Sequence, residues 1–352
     1  MLELQGMLAA AHTLYVLLSA LSVLTLTLIL FWTVYHTPIV FAALFARRRA
    51  PPPPGGYLPR ISVIVPVRDD AGVVERALRS VLQQDYPRDR VEVIVVDGSR
   101  EEAAERVRAS LEGLPLAVKY IREEEPRGKP AALNKALLYA TGEVIAVLDA
   151  DNVLDRGAFR SAARYFGDPR VGAVQGVVDP LNEGESLWTR VASKEEKLWN
   201  RVLLRGRSRL GLFTPLSGSC FFVSSEALRR VGGFPETLAE DLDLSLELVR
   251  RGYEIVYAED VRGMWETPRT LRALVVQRRR WYRGYMESFL RNWKAVRLDR
   301  RLLDAEMVMA GPMLLVLSFL TVTWWLATSV LGLPALNDDV AAHVVVTLNF
   351  FS

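Results

Sequence analysis

Residues 144–151 read VIAVLDAD, a short apolar run that ends in two aspartates one residue apart, Asp149 and Asp151. A run this short and this rich in β-branched side chains fits a strand buried on both faces, and the acids mark where it leaves the core. The same design recurs upstream. Residues 61–67 (ISVIVPV) lead through Pro66 and Val67 into Arg68, Asp69 and Asp70, and residues 91–96 lead into Asp97, Gly98 and Ser99. A further strand-like run covers 118–121, and 144–148 completes the set. Between them, residues 73–83, 101–111 and 130–140 carry apolar side chains at helical spacing. This alternation predicts βαβ units around a mostly parallel sheet. In such sheets ligands bind at the carboxyl ends of strands, where the strand order reverses.

Three strands thus deliver acids to one edge. Asp70 or Asp97 alone fits a helix N-cap as well as a ligand-binding group. Asp149 and Asp151 differ, because two carboxylates on one turn can converge on a hard divalent cation that takes oxygen ligands and keeps substrate phosphates in its shell. No glycine-rich phosphate loop of the Walker or dinucleotide type is present. A diphosphate would then be neutralised by metal and by basic side chains. Lys129, at the start of a helix, is one candidate, and alone it reads equally well as an exposed loop lysine.

Half of the 352 residues are hydrophobic, which directs attention to membrane segments. Residues 8–31 suffice for one span, and the stretch on to Ala46 reads as an interfacial extension or the lower part of a tilted helix. A two-span hairpin is the alternative. Arg47, Arg48 and Arg49 follow, then a proline run that reads as a stiff spacer. A second span covers 307–331, preceded by Arg297, Arg300 and Arg301, with Asn337, Asp338 and Asp339 beyond it. Both basic flanks adjoin the middle domain, which predicts that this domain is cytoplasmic. The apolar tail 340–351 is too short for a full span. One cysteine, Cys220, excludes an intramolecular disulfide, and His12, His36 and His343 all fall in the apolar ends. A general base in the middle domain is therefore expected to be a carboxylate. The net charge of +3 and the placement of arginines beside membrane segments argue against a nucleic-acid partner.

Eight segments in fixed order carry a resemblance: ISVIVPV, VVDGS, GKPAALNKAL, VLDAD, SGSCFFVSSEALRRVGGF, AEDLDLSLELVRRG, WETP and QRRRW. Together, over roughly residues 60–285, they resemble the membrane-bound branch of the family 2 glycosyltransferases, which includes cellulose, chitin and hyaluronan synthases. The resemblance implies a GT-A α/β fold flanked by transmembrane helices. It divides the chain into a membrane helix (1–50), a linker (51–59), a catalytic domain (60–268), an amphipathic interfacial helix (269–300) and a C-terminal membrane region (301–352).

Roles follow from the resemblance. Asp97 would recognise the donor's base. Asp149 would lie near ribose and metal, and Asp151 would bind the cation, Mg2+ or Mn2+, bridging the diphosphate. Pro66, Val67, Arg68, Lys129, Gln277 and Arg280 would bind the donor. Asp241 matches the catalytic base; the family usually has Thr-Glu-Asp, where this chain has Ala239-Glu240-Asp241. Glu240 and Trp281 would position the acceptor. The implied reaction is inverting hexosyl transfer from a UDP-hexose or GDP-mannose to a lipid or glycolipid acceptor. A processive polysaccharide synthase and an inactive nucleotide-sugar-binding protein are the alternatives. After Trp281, the residues Tyr285, Phe289, Trp293 and Val296 recur at helical spacing with Arg278, Arg283, Arg291, Lys294 and Arg297 interleaved. The pattern fits an interfacial basic helix or a core stripe packed on the sheet.

Overall fold

A computed structural model describes residues 2–47, 50–53, 56–69, 71–115, 117–293 and 299–331. Arg48, Arg49, Asp70, Lys294, Val296, Arg297 and the tail with Asn337, Asp338 and Asp339 lie outside the described residues.

The chain opens with α1 (Leu2–Phe45), a continuous 44-residue helix with Pro38 inside it, so the hairpin alternative is excluded. It continues through β1 (Ile61–Val67), α2 (Ala71–Leu82), β2 (Val91–Asp97), α3 (Glu101–Leu111), β3 (Ala117–Arg122), α4 (Lys129–Leu137), β4 (Val144–Val147), β5 (Val153–Leu154) and α5 (Ala158–Tyr165). Next come β6 (Val171–Pro180), α6 (Leu187–Leu198), a π-helical turn (Trp199–Leu204), α7 (Arg205–Leu210), β7 (Phe221–Ser224) and α8 (Ser225–Val231). The last elements are α9 (Glu240–Arg250), β8 (Glu254–Trp265), α10 (Leu271–Asn292) and α11 (Arg300–Val330).

Among the described residues, eight strands form one sheet in the order β3-β2-β1-β4-β7-β6-β8-β5. β1 pairs in parallel with β2 on one side and β4 on the other, so the order reverses between β1 and β4. Apolar side chains fill both faces. Val63, Val65, Val93 and Val95 belong to one core layer, and Ile64, Ile94, Ile145 and Val147 to the other. This explains why these strands read as unbroken apolar runs. Glu92 is a buried acid within β2, and its carboxylate is satisfied by Ser62 Oγ at 2.6 Å, Thr141 N at 2.7 Å and Lys119 Nζ at 3.1 Å.

The sheet departs from the mostly parallel expectation at β7, which is antiparallel to both β4 and β6, and at β5, which is antiparallel to β8. An antiparallel strand begins where its neighbour ends. The segment Ser217–Cys220 therefore enters the sheet at the same edge where β4 delivers Asp149.

Among the described residues, α1 and α11 are long and apolar enough to cross a bilayer. At 1.5 Å per residue α1 is roughly 66 Å long, about twice a hydrocarbon core of ~30 Å. Its lower end docks on the domain: Ile39, Ala42 and Ala43 are buried, and a Cβ on Gly206 of α7 would overlap the Ile39 carbonyl. Arg209 donates to the Ala43 and Ala42 carbonyls at 2.8 and 3.1 Å, satisfying acceptors of the last helical turn. Beside it, Asp304 of α11 accepts from Arg207 at 2.5 Å, from the Phe213 N–H at 3.0 Å and from the Tyr35 hydroxyl of α1. Arg207 and Asp304 are both buried, so one ion pair joins the two long helices and the domain.

Candidate active site

The centre of the site is Lys129. Gly128 reaches it at φ 102°, a left-handed conformation that favours glycine, and Pro130 then starts α4. The ammonium donates to the Gly218 carbonyl at 2.6 Å and pairs with Asp149 Oδ1 at 2.7 Å and Glu240 Oε1 at 3.5 Å. Burial works against its charge, but Asp149 and Glu240 outweigh burial and hold Lys129 above the ordinary ammonium range.

Asp241 follows Glu240 in the first turn of α9, where the helix dipole favours acids. Its Oδ1 accepts the Leu242 N–H at 2.8 Å. Burial, then the adjacent Glu240 carboxylate, pushes Asp241 up to about 7, with Lys129 pulling the other way. The side chain nevertheless keeps part of its surface open. Above it sits Gly218 at φ 74°, where a Cβ would lie 3.4 Å from Asp241 Oδ2. Lys129, Asp149, Gly218, Glu240 and Asp241 are thus brought together from four separate segments.

Asp151 lies half-buried on the turn between β4 and β5. Among the described residues no group of three or more His, Cys, Asp or Glu side chains is arranged to hold a metal by itself. Two aspartates on a turn still suit Mg2+ or Mn2+, which commonly uses one or two carboxylates and completes its shell with substrate phosphates and water. Beside them the buried Asn152 Oδ1 has no hydrogen-bond partner, an oxygen consistent with a polar ligand or water at this turn.

The other strand-end residues frame the edge. Asp97 is fully buried, its Oδ1 accepting the Ser99 N–H and its Oδ2 the Tyr120 hydroxyl, both at 2.8 Å. It acts here as a loop cap. The buried Val67 accepts the Gly98 N–H at 3.0 Å, Pro66 is half-buried and Arg68 is exposed. Asp69, at φ 59°, donates its N–H to Ser99 Oγ and accepts the Arg100 N–H, clipping the ends of β1 and β2 together.

Gln277, Arg280 and Trp281 stand apart from this cluster, with no hydrogen bond or ion pair to it among the described residues. Arg280 is exposed and, with Gln277, lines a surface cleft of about 540 Å³ shared with Glu266, Thr267 and Pro268. Trp281 stacks on Trp265 with ring centroids 6.3 Å apart, and the Arg278 guanidinium lies over its ring at 4.1 Å. Arg278, one of the basic residues interleaved with the aromatic stripe, is buried. It pairs with Glu195 at 3.0 Å and Glu196 at 3.5 Å, and Glu196 also accepts the Trp265 indole N–H at 2.7 Å. Burial pushes Glu196 up to about 7. The aromatic stripe divides: Tyr285 and Phe289 pack against the core, whereas Trp293 faces outward with Leu271, Val275, Val276 and Leu290.

Sequence reasoning missed the supports of the Gly218 loop. The fully buried Gln175 accepts the Ser217 N–H at 2.8 Å and donates to the Ser219 carbonyl at 3.2 Å. Ser219 Oγ accepts the Asp149 N–H at 3.0 Å. A lone amide inside the apolar run VGAVQGVV was the available signal.

Residues 59–284 match the family described as Glycosyltransferase like family 2. A β-monoglucosyldiacylglycerol synthase of Synechocystis is 29% identical over 67% of this chain and 50% of its own length. An N-acetylglucosaminyltransferase of Rhizobium meliloti is 30% identical over 76% of this chain and 68% of its own. The chain thus spans about half the length of the cyanobacterial synthases it matches. Among solved structures, a mannosyltransferase of Pyrobaculum calidifontis in complex with GDP-Man and Mn2+ superimposes with a TM-score of 0.73 and 26% identity, covering 95% of this chain and 92% of that one. The fold is therefore GT-A, and with the family matching over well more than half of its length, the chain belongs to the family 2 glycosyltransferases.

Proposed function

We propose that this glycosyltransferase moves a hexosyl unit from a nucleoside-diphosphosugar to a hydroxyl of a lipid or glycolipid at the membrane surface, inverting the anomeric centre. The observation that carries the reading is the convergence of Lys129, Asp149, Glu240 and Asp241 at the edge where strand order reverses. In the reaction Asp241 accepts the acceptor's hydroxyl proton as that oxygen bonds to the anomeric carbon. The bond from that carbon to the diphosphate breaks on the opposite face. A carboxyl pushed up to about 7 is a stronger base than an ordinary one and is still substantially ionised near neutrality. Lys129 holds Asp149 and Glu240 at fixed positions and keeps a positive charge in the cluster. A divalent cation held by Asp149 and Asp151 would supply further charge to stabilise the leaving diphosphate.

The mannosyltransferase that spans nearly the same length with GDP-Man and Mn2+ supports those as the first donor and cation to try. The diacylglycerol named in the cyanobacterial relatives, and two membrane-length helices, support a lipid acceptor. The arginines flanking both helices support a cytoplasmic catalytic edge. The test is transfer of label from GDP-mannose, UDP-glucose or UDP-N-acetylglucosamine by the purified protein, with a membrane-lipid extract and Mn2+, Mg2+ or EDTA. Label should enter the lipid fraction from one donor, and only with a cation. Release of no nucleotide from any donor in either metal would sink the reading.

A further inference from the structure

We infer that Glu123 reads the base of the donor and selects guanine, its carboxylate accepting the two adjacent N–H groups of a guanosine-diphosphate sugar. The inference rests on the donor reading above and deepens it.

Glu123 follows β3 at the functional edge. The residue is only 8% exposed, yet among the described residues its carboxylate has no hydrogen-bond or ion-pair partner. Its backbone is fixed: the N–H donates to the Asp97 carbonyl at 2.8 Å, and its own carbonyl accepts from Arg122 at 3.3 Å. Oε2 lies 3.5 Å from where a Cβ on Gly98 would stand and Pro126 Cβ 2.8 Å from it, so the carboxylate and the proline ring together border the end of β2. The residue is largely covered while its carboxylate has no protein donor among the described residues, which leaves its two oxygens available to the N–H groups of a ligand. Asp97, assigned to the base by resemblance, is fully buried, with one oxygen bonded to the Ser99 N–H and the other to the Tyr120 hydroxyl. The neighbouring acid is the open one.

Position agrees with chemistry. The order β3-β2-β1-β4 sets Glu123 three strands away from Asp149. At about 4.8 Å per gap that is roughly 14 Å, the reach of an extended nucleoside diphosphate from base to outer phosphate. An ionised carboxylate only accepts hydrogen bonds. Guanine presents N1–H beside its 2-amino group, two parallel donors for two oxygens. Uracil presents one N–H between two carbonyls, whose lone pairs would face the second carboxylate oxygen. Adenine presents an acceptor beside its amino group. A site built this way rejects the bases that leave it unpaired.

The test is calorimetric titration of the whole protein in detergent, with Mn2+, by GDP, IDP and UDP. IDP differs from GDP only in lacking the 2-amino group. GDP should bind roughly ten- to a hundredfold more tightly than IDP, the weight of one hydrogen bond to a charged group. Glu123→Gln should shrink that gap to within about threefold while the unfolding temperature stays at the parent's. The comparison in the native protein needs no variant, so misfolding cannot mask the answer. Equal binding of GDP and IDP, UDP binding as tight as GDP, or an undiminished gap in Glu123→Gln would overturn the assignment and leave the transferase reading standing. Failure of every nucleotide to bind would remove both.

Discussion

Asp241 is a carboxyl whose surroundings favour its protonated form, and the consequences reach both rate and stability. A base must be ionised, so kcat should rise with pH through about 7 and level off above it. Asp241→Asn should lower kcat by roughly 10²- to 10⁴-fold while the donor's KM stays within a few-fold, read from initial rates across a pH series. The folded state also holds this proton more tightly than the unfolded chain. Asp241 therefore costs stability as pH rises from the ordinary carboxylate range through about 7. Glu92 has the opposite sign. Burial opposes its charge, but hydrogen bonds from Ser62, Thr141 and Lys119 outweigh that and hold it at about 2. Its contribution is present above the ordinary carboxylate pKa and fades as pH falls towards 2. At this scale the sequence was readable wherever a charge interrupts an apolar run, as at Asp97, Asp149 and Asp151. It was silent on the pairing of Lys129 with Gly218, 89 residues away, because nothing local records such a contact.

Between elements, the helix carrying Asp241 is held by the helix carrying Trp281. Asp243 of α9 accepts from Thr237 at 2.6 Å, from Arg291 of α10 at 3.0 Å and from the Ser288 hydroxyl. Gly284 of α10 sits directly against Ala239, where an added Cβ would stand 3.0 Å from the alanine's own. This contact gives a packing reason for a small residue at 239, where the family usually has threonine. Gly284→Val should push α10 away from α9 and destabilise the protein by about 1–3 kcal/mol, seen as a lowered unfolding temperature with kcat falling alongside. Helical periodicity predicted α10 but not which neighbours its faces meet. Arg278 was legible as one more basic residue and is buried only because Glu195 and Glu196 arrive from α6. The reversal of β7 was likewise hidden, since a four-residue strand carries no mark of its direction.

For the molecule as a whole, the buried Arg207–Asp304 pair ties α11 to the catalytic domain, and the Tyr35 hydroxyl of α1 bonds to the same carboxylate. Removing one partner strands the other. Asp304→Leu should cost about 3–5 kcal/mol, and the double variant Arg207→Met/Asp304→Leu should recover much of it, as measured by thermal unfolding in detergent. The apolar helices were plain from composition, whereas this pair was not, because Asp304 precedes the span and Arg207 lies in an unremarkable basic stretch. The antiparallel entry of β7 has a further consequence, in time. β1, β2, β3 and β4 can pair as soon as they leave the ribosome, but β4 keeps a bare edge until β7 threads between it and β6. Contacts closing such long loops form late. A half-sheet formed without β7 would carry an unpaired rim on β4, the kind of edge that recruits stray strands. Gly218 and Asp241 can join Asp149 only after β7 has been made.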